Sequence, residues 1–188
     1  MILEGLVTTL NEDGSANIAP MGPLVDEQMQ QFVLRPYEHS KTLANLKRTS
    51  EGVLHVTDDV EMIARAAIDR LEPLPKLAKA SKVRGVVIAG ACRWYEFQVT
   101  SLDDRAARAT IGCNVIGRGR IRDFFGFNRA KHAVIEAAVL ATRLDFLPEE
   151  QICDEFKRLA IVVEKTAGPQ ERRAFQLLDE YVGQTLDL

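Results

Sequence analysis

Over the first hundred or so residues the apolar positions fall in short, β-rich runs separated by turn signals. Ile2 to Leu10 reads as a strand that ends at Asn11-Glu12-Asp13-Gly14, where Gly14 suits the positive φ of a hairpin turn. Ser15 to Pro20 is the return strand. Met21-Gly22-Pro23 breaks the pattern, since proline donates nothing to a sheet ladder. Gln31 to Leu34 is a third strand, Ser40 to Arg48 a short helix, and Gly52 to Thr57 a further strand. Asp58 and Glu61 have the spacing of a capping box at the start of a second helix. Pro73 and Pro75 end it and open a loop to about Val83. Two long strands follow, Val86 to Thr100 and roughly Ala107 to Arg122, with a turn at Leu102-Asp103-Asp104.

The pattern changes near Asn128. Ala130 to Leu144 is apolar nearly all round, which predicts a helix buried on more than one side. Pro148 opens a second helix with Ile152, Phe156, Leu159, Ala160 and Val163 on its apolar stripe. Gly168-Pro169 ends it and starts a last helix, which carries Phe175, Leu178, Tyr181 and Val182. The expected fold class is α+β: a β-barrel of about six strands over residues 1–125, then a three-helix extension over residues 126–188. The extension is expected to pack on the barrel or on a partner subunit.

Composition narrows the classes. The 188 residues are 46% apolar and 27% charged, with a formal charge of −3, an ordinary globular balance. An acidic chain is a poor non-specific ligand for nucleic acid. The start has no basic region followed by an apolar run, and no stretch reaches the ~20 apolar residues that span a bilayer. Cys92, Cys113 and Cys153 are odd in number and widely spaced, so neither a disulfide framework nor a zinc site is expected. A cytoplasmic location with reduced thiols is the simplest expectation.

The segment Arg35-Pro36-Tyr37-Glu38-His39-Ser40-Lys41-Thr42-Leu43-Ala44-Asn45-Leu46 carries the most chemistry. Ser40 is a good N-cap. The capping-box position holds Leu43 in place of Glu or Gln, and Lys41 puts a cation where the helix dipole is already positive. Arg35 and His39 add to that potential. Free backbone N–H groups, a lysine and the hydroxyls of Ser40 and Thr42 suit a phosphate. Asn45, one turn on from Lys41, faces the same side. A plain surface helix with a solvated lysine fits equally well, because one unfavourable charge costs only a few tenths of a kcal/mol.

A wider pattern joins this segment to its surroundings. Gly5-Leu6-Val7-Thr8-Thr9, Asp13-Gly14, Asn17-Ile18-Ala19-Pro20-Met21-Gly22, Arg35-Pro36-Tyr37 and Ser40-Lys41-Thr42-x-x-Asn45-Leu46 resemble an archaeal and bacterial family catalogued as domain of unknown function 447. Phe127-Asn128-Arg129-Ala130 and Glu136-Ala137-Ala138-x-x-Ala141-Thr142-Arg143 resemble its second half, so nearly the whole chain is covered. That family is similar to the FMN-binding split barrels of flavin reductases and pyridoxamine-phosphate oxidases. The resemblance implies a six-stranded split β-barrel of the FMN-binding type, and a homodimer with FMN between its subunits. It places the phosphate near Arg35, Ser40, Lys41 and Thr42; by position, His39 borders that site and Asn45 is within reach of the same ligand. It places the isoalloxazine ring near Asn17, Ala19, Pro20 and Met21, where small residues permit close approach. On the residues alone, Ala19-Pro20-Met21-Gly22 is a strand end and a turn.

Other constellations are weaker. Arg118, Arg120 and Arg122 alternate onto one strand face and read first as a solvated edge that blocks sheet association. Gly117-x-Gly119 lacks a Rossmann context. His39, His55 and His132 are too scattered for a metal site, and His55 reads as a core residue. The implied function is an FMN-dependent oxidoreductase of flavin reductase type with NADH or NADPH as electron donor, its substrate and catalytic residues unassigned. A non-catalytic flavin-binding protein and a nucleic-acid-binding barrel are the alternatives.

Overall fold

The computed structural model describes residues 1–187; Leu188, the last residue of the expected helical region, lies outside them. The described chain forms two compact units, residues 1–57 with 75–124 and residues 58–74 with 125–187.

The first unit holds the strands β1 (Gly5–Leu10), β2 (Ala16–Met21), β3 (Leu24–Val25), β4 (Gln31–Leu34), β5 (Glu51–Val56), β6 (Leu77–Lys79), β7 (Val86–Ile88), β8 (Arg93–Asp103) and β9 (Thr110–Arg120), and the helix α1 (Lys41–Thr49). The expected six strands are corrected to seven in one antiparallel sheet, in the order β2-β1-β5-β8-β9-β4-β3, with β6 and β7 as a separate ribbon. Two features account for the difference. Leu24 and Val25 pair with Val33 and Phe32 directly after Pro23, forming a strand too short to leave a periodic signal. The expected long strand from Val86 breaks at Gly90-Ala91, so Val86–Ile88 pairs with Leu77–Lys79 in a stretch expected to be loop. The sheet curls into a half-barrel. Ile2 bridges Leu24, and the Leu3 amide donates to the Pro23 carbonyl at 3.1 Å, so the segment before β1 meets the β3 edge.

Inside the curl, Val7, Leu34, Leu54, Phe97 and Ile111 are buried against Leu43 and Leu46 of α1. Each such side chain removed from water contributes about 1.5–3 kcal/mol. The hairpin after β1 turns at Gly14, whose φ of +83° is the left-handed conformation expected there. On the outer face Trp94 lies against Val53, Ala80, Val83 and Val87. A Cβ on Gly119 would come within 2.0 Å of the Trp94 ring, so glycine is needed there for close approach.

The second unit contains α2 (Val60–Ala67), α3 (Arg129–Ala141), α4 (Glu149–Thr166) and α5 (Pro169–Thr185). The expected three-helix extension is therefore corrected to four helices. Val60, Ala64 and Ile68, on and just beyond α2, are buried with Ala133, Ala137, Phe156, Phe175 and Leu178 in one core. The side chain capping α2 is Asp59, which accepts from the Met62 amide, one position later than expected. Asn128 caps α3 as its sequence position implies.

Candidate functional site

The first turn of α1 follows β4 in the chain, and its geometry is set by Ser40. The Ser40 hydroxyl donates to the Tyr37 carbonyl at 2.8 Å and accepts from the Leu43 amide at 3.2 Å. Ser40 is the N-cap, and no acidic residue lies in the first turn. The N–H groups of Lys41 and Thr42 occupy the first two helical positions, where no intrahelical carbonyl is available. Arg35 and Lys41 are exposed, and among the described residues neither has a hydrogen bond or ion pair. His39 is exposed and lies 3.2 Å from the Glu38 carboxylate.

Sequence reasoning missed Arg108 in this neighbourhood. The Arg35–Glu38 segment runs beside the loop before β9: the Ala109 amide donates to the Pro36 carbonyl at 3.0 Å and the Glu38 amide to the Ala107 carbonyl at 3.1 Å. Tyr37 bridges Arg108, whose guanidinium sits 4.2 Å from the Tyr37 ring centroid and donates to its hydroxyl. The pairing depends on a cross-loop register that carries no local motif, so no sequence signal marked it.

Helix α1 is tied to the β1–β2 hairpin by a polar cluster. The Asn17 amide donates to the Thr42 hydroxyl at 3.1 Å and to the Thr9 hydroxyl at 3.2 Å. The buried Asn45 donates to Thr9 at 3.0 Å and to the Asn11 carbonyl oxygen at 2.9 Å. Arg48 donates to the Leu10 carbonyl. Two groups of expected site residues thus meet: Asn17 touches Thr42, and Ala19, Pro20 and Met21 continue along β2 from that contact. Asn45 commits both amide hydrogens within the protein, so it holds α1 against the hairpin.

β2 is an edge strand. Asn11 and Ser15 form a hydrogen-bonded pair at the hairpin, which puts Asn17, Ala19 and Met21 in the paired positions. Ile18 and Pro20 therefore turn their backbone groups to the free edge, the place where a proline costs no ladder bond. That edge offers the Ile18 N–H and two carbonyls to a planar polar ligand, while Asn17, Ala19 and Met21 project on the concave face with Val7.

The remaining titratable groups serve the fold. His55 is buried, with Nδ1 donating to the Leu6 carbonyl at 3.2 Å and Nε2 accepting from the Ile88 amide at 3.0 Å. Burial lowers its pKa to about 4, so it is neutral, the core role its apolar strand implies. Glu96 is buried. Its carboxylate accepts from the Ser81 hydroxyl at 2.9 Å and from the amides of Ser81, Lys82 and Val83. Burial pushes its pKa up, and these donors more than reverse the push. Burial raises the Cys113 thiol to about 12, which removes it as a nucleophile. A cleft bordered by Val25, Asp26, Phe32, Ser101, Gly112 and Cys113 contains none of the expected site residues. Among the described residues no cluster of three or more His, Cys, Asp or Glu side chains is arranged to hold a metal ion, and no helix is long and apolar enough to cross a membrane.

The N-terminal model of a family described as protein of unknown function (DUF447) matches residues 3–122, and the model for the C-terminal part matches residues 128–180. The chain belongs to the DUF447 family. An FMN-bound protein of that family from Methanosarcina mazei has the same fold, with a TM-score of 0.83 at 23% identity, over 96% of this chain and 94% of the other. The 2-nitrobenzoate 2-nitroreductase of Pseudomonas fluorescens is similar at a TM-score of 0.53 and 20% identity, over 62% of this chain and 64% of the other. The flavin reductase of styrene monooxygenase from Pseudomonas putida S12 gives 0.54 and 11%, over 63% and 79%. Comparison with curated proteins gives no match.

Proposed function

We propose that this DUF447 protein binds FMN and acts as a flavin-dependent oxidoreductase of flavin reductase type. The carrying observation is the Asn17–Thr42 hydrogen bond, which joins the edge strand β2 to a helix start whose two cations, Arg35 and Lys41, have no protein partner among the described residues. Those donors fit the group. Arg35, Lys41 and the first-turn amides of α1 hold the phosphate, with His39 at the rim and Ser40 fixing the turn. Thr42 and Asn17 mark where the ribityl chain passes from helix to strand. The concave side of β2 at Ala19 and Met21, with the free backbone edge at Pro20, takes the ring. FMN supplies the redox chemistry when bound, so the protein's task is to bind, orient and shield. The FMN-bound structure from the same family and the flavin reductase among the similar structures support this reading.

In the proposed assembly two chains form a homodimer with a flavin site where they meet, and NADH or NADPH is the electron donor. The three cysteines, none of them in a disulfide among the described residues, suit a reducing cytoplasm. The net charge of −3 does not favour nucleic acid as the partner.

The test is the visible spectrum of the purified protein, with mass identification of what heat releases. FMN is expected, and the Ser40→Ala/Lys41→Ala double variant is expected to lose it. Full flavin affinity in that variant would overturn the site. Anaerobic bleaching by NADH or NADPH separates an oxidoreductase from a protein that merely holds flavin.

A further inference from the structure

The register of the sheet brings Arg93 beside Arg118 and Arg120, from which its sequence position keeps it apart. Arg93 lies directly opposite Arg120, and Tyr95 directly opposite Arg118, on β8 and β9. Residues opposite each other on adjacent strands share a face, as do residues two apart along one strand. Tyr95 belongs to the core inside the curl, so Arg93, Arg118 and Arg120 project on that same concave face. The outer face confirms the parity, because Trp94 packs outside with Val53 and covers Gly119.

This arrangement is unfavourable for the protein alone. Like charges directly opposite on neighbouring strands repel. Among the described residues Arg93 has no hydrogen bond or ion pair. Arg118 has one long bond, 3.4 Å to the Gln28 carbonyl. Arg120 pairs with Asp123, but both side chains are more than half exposed, and such pairs are weak. Three guanidinium groups against one carboxylate leave two positive charges in excess. β4 pairs only with residues 111–114 of β9, so the segment carrying Arg118 and Arg120 has no sheet neighbour on that side.

We propose that Arg93, Arg118 and Arg120 form a second anion site, for the diphosphate bridge of a dinucleotide. Such a bridge carries two negative charges, which matches the excess. Side chains directly opposite leave their Cβ atoms about 5 Å apart, so two planar guanidinium forks are presented side by side, each able to take one phosphate bidentately. The site also lies in line with the proposed flavin strand. Met21 pairs with Gly5, the residue before Leu6, which pairs with His55; Val56 follows His55 and pairs with Arg93. One row across the concave face therefore runs from Met21 to Arg120. The assignment of the dinucleotide as the nicotinamide electron donor rests on the flavin reading; the anion site does not.

The probe is inorganic pyrophosphate, titrated by calorimetry into the full-length protein as purified, with bound flavin quantified on the same samples. Saturable binding that weakens with added salt is expected. Arg93→Ala/Arg120→Ala is expected to weaken it at least tenfold while leaving flavin content unchanged, and Lys41→Ala is expected to retain it. Arg93→Lys/Arg120→Lys keeps the charge and guards against misfolding; with the forks lost, affinity is expected to drop several-fold. No saturable binding, equal affinity in both double variants and the native protein, or joint loss of flavin and pyrophosphate on replacing Arg93 and Arg120 would each overturn the site. Pyrophosphate bound by a protein that holds no flavin would support the anion site and overturn the function proposed above.

Discussion

The first turns of α1 and α5 are built from similar parts and finished in opposite ways. At α5 the Glu171 carboxylate accepts from the Gly168 amide at 2.9 Å and pairs with Lys131 at 2.8 Å, with both side chains largely buried. Lys131 spends its remaining hydrogens on the Asp58 carbonyl at 2.7 Å and Gln170 at 3.2 Å. The positive end of that helix is neutralised within the protein. At α1 the corresponding position is Leu43, and the charges near the turn that lack a protein partner are the cations Arg35 and Lys41. A helix end that serves only the fold looks like α5. The α1 end is left in need of an anion.

Breaking the closed end should have the largest effect. Glu171→Ala leaves Lys131 buried with its charge uncompensated, a change that costs about 3–5 kcal/mol, a large share of the ~5–15 kcal/mol that holds a typical domain together. Urea unfolding should show that loss, and flavin affinity measured below the transition should not change. A loss near zero would mean that Lys131 finds another partner and that α5 is not closed in the sense argued.

The open end should respond with opposite signs in its two readouts. Lys41→Glu supplies the acid that an ordinary helix start would carry, so stability should rise by about 0.3–1 kcal/mol. The same change places a carboxylate where the proposed phosphate binds, and flavin affinity should fall ten- to a hundredfold, about 1.4–2.8 kcal/mol. Stability and affinity falling together would instead mean that Lys41 supports the fold.

How much of this the sequence discloses follows from which contacts are local. Ser40 and Gly14 act within a turn of their own positions, and both are readable. The apolar face of α2 was visible, but its partners, Ala133, Ala137 and Phe175, lie far along the chain, so the helix was expected with the barrel and not with the helical unit. β3 has two residues and β6 three, too few for an alternation to register. At the site, the residues' own chemistry singles out α1, and the resemblance to a flavin-binding family adds β2. Their contact through Asn17, Thr9 and Thr42 depends on the hairpin folding back on the helix. The pairing of Arg93 with Arg120 rests on a register with shifts at Glu96/Phe97 and Val99/Ser101, which strand periodicity cannot supply.

Acid should separate the two helix ends by pH. Burial works against ionised Glu171, but Lys131 and the Gly168 amide prevail and hold its pKa below the usual glutamate value. A carboxylate lowered in the folded state stabilises fully above its unfolded pKa, and that contribution is lost as pH falls through the folded value. The α5 end should thus hold down to the lower carboxylate range. The α1 end depends on a phosphate whose second pKa is about 6, so flavin affinity should fall up to about tenfold between pH 7 and pH 5, before acid unfolding begins. Fluorescence titration of flavin beside circular dichroism resolves the two. An affinity flat from pH 7 to pH 5 would argue that the dianion is not what α1 recognises.

The smallest expected effect tests Ser40 alone. Its hydroxyl already donates to Tyr37 and accepts from Leu43, so its first task is to hold the turn that presents the Lys41 and Thr42 amides. Ser40→Ala should cost about 1 kcal/mol of stability as a lost N-cap. Flavin affinity should drop only a few-fold, less than for Lys41→Glu, because both cations stay in place. Ser40→Gly should recover most of the stability, since glycine is tolerated at N-cap positions within a few tenths of a kcal/mol. If Ser40→Ala instead abolished flavin binding with stability intact, the hydroxyl would have to turn from the cap to the ligand, and the turn would owe its shape to the phosphate.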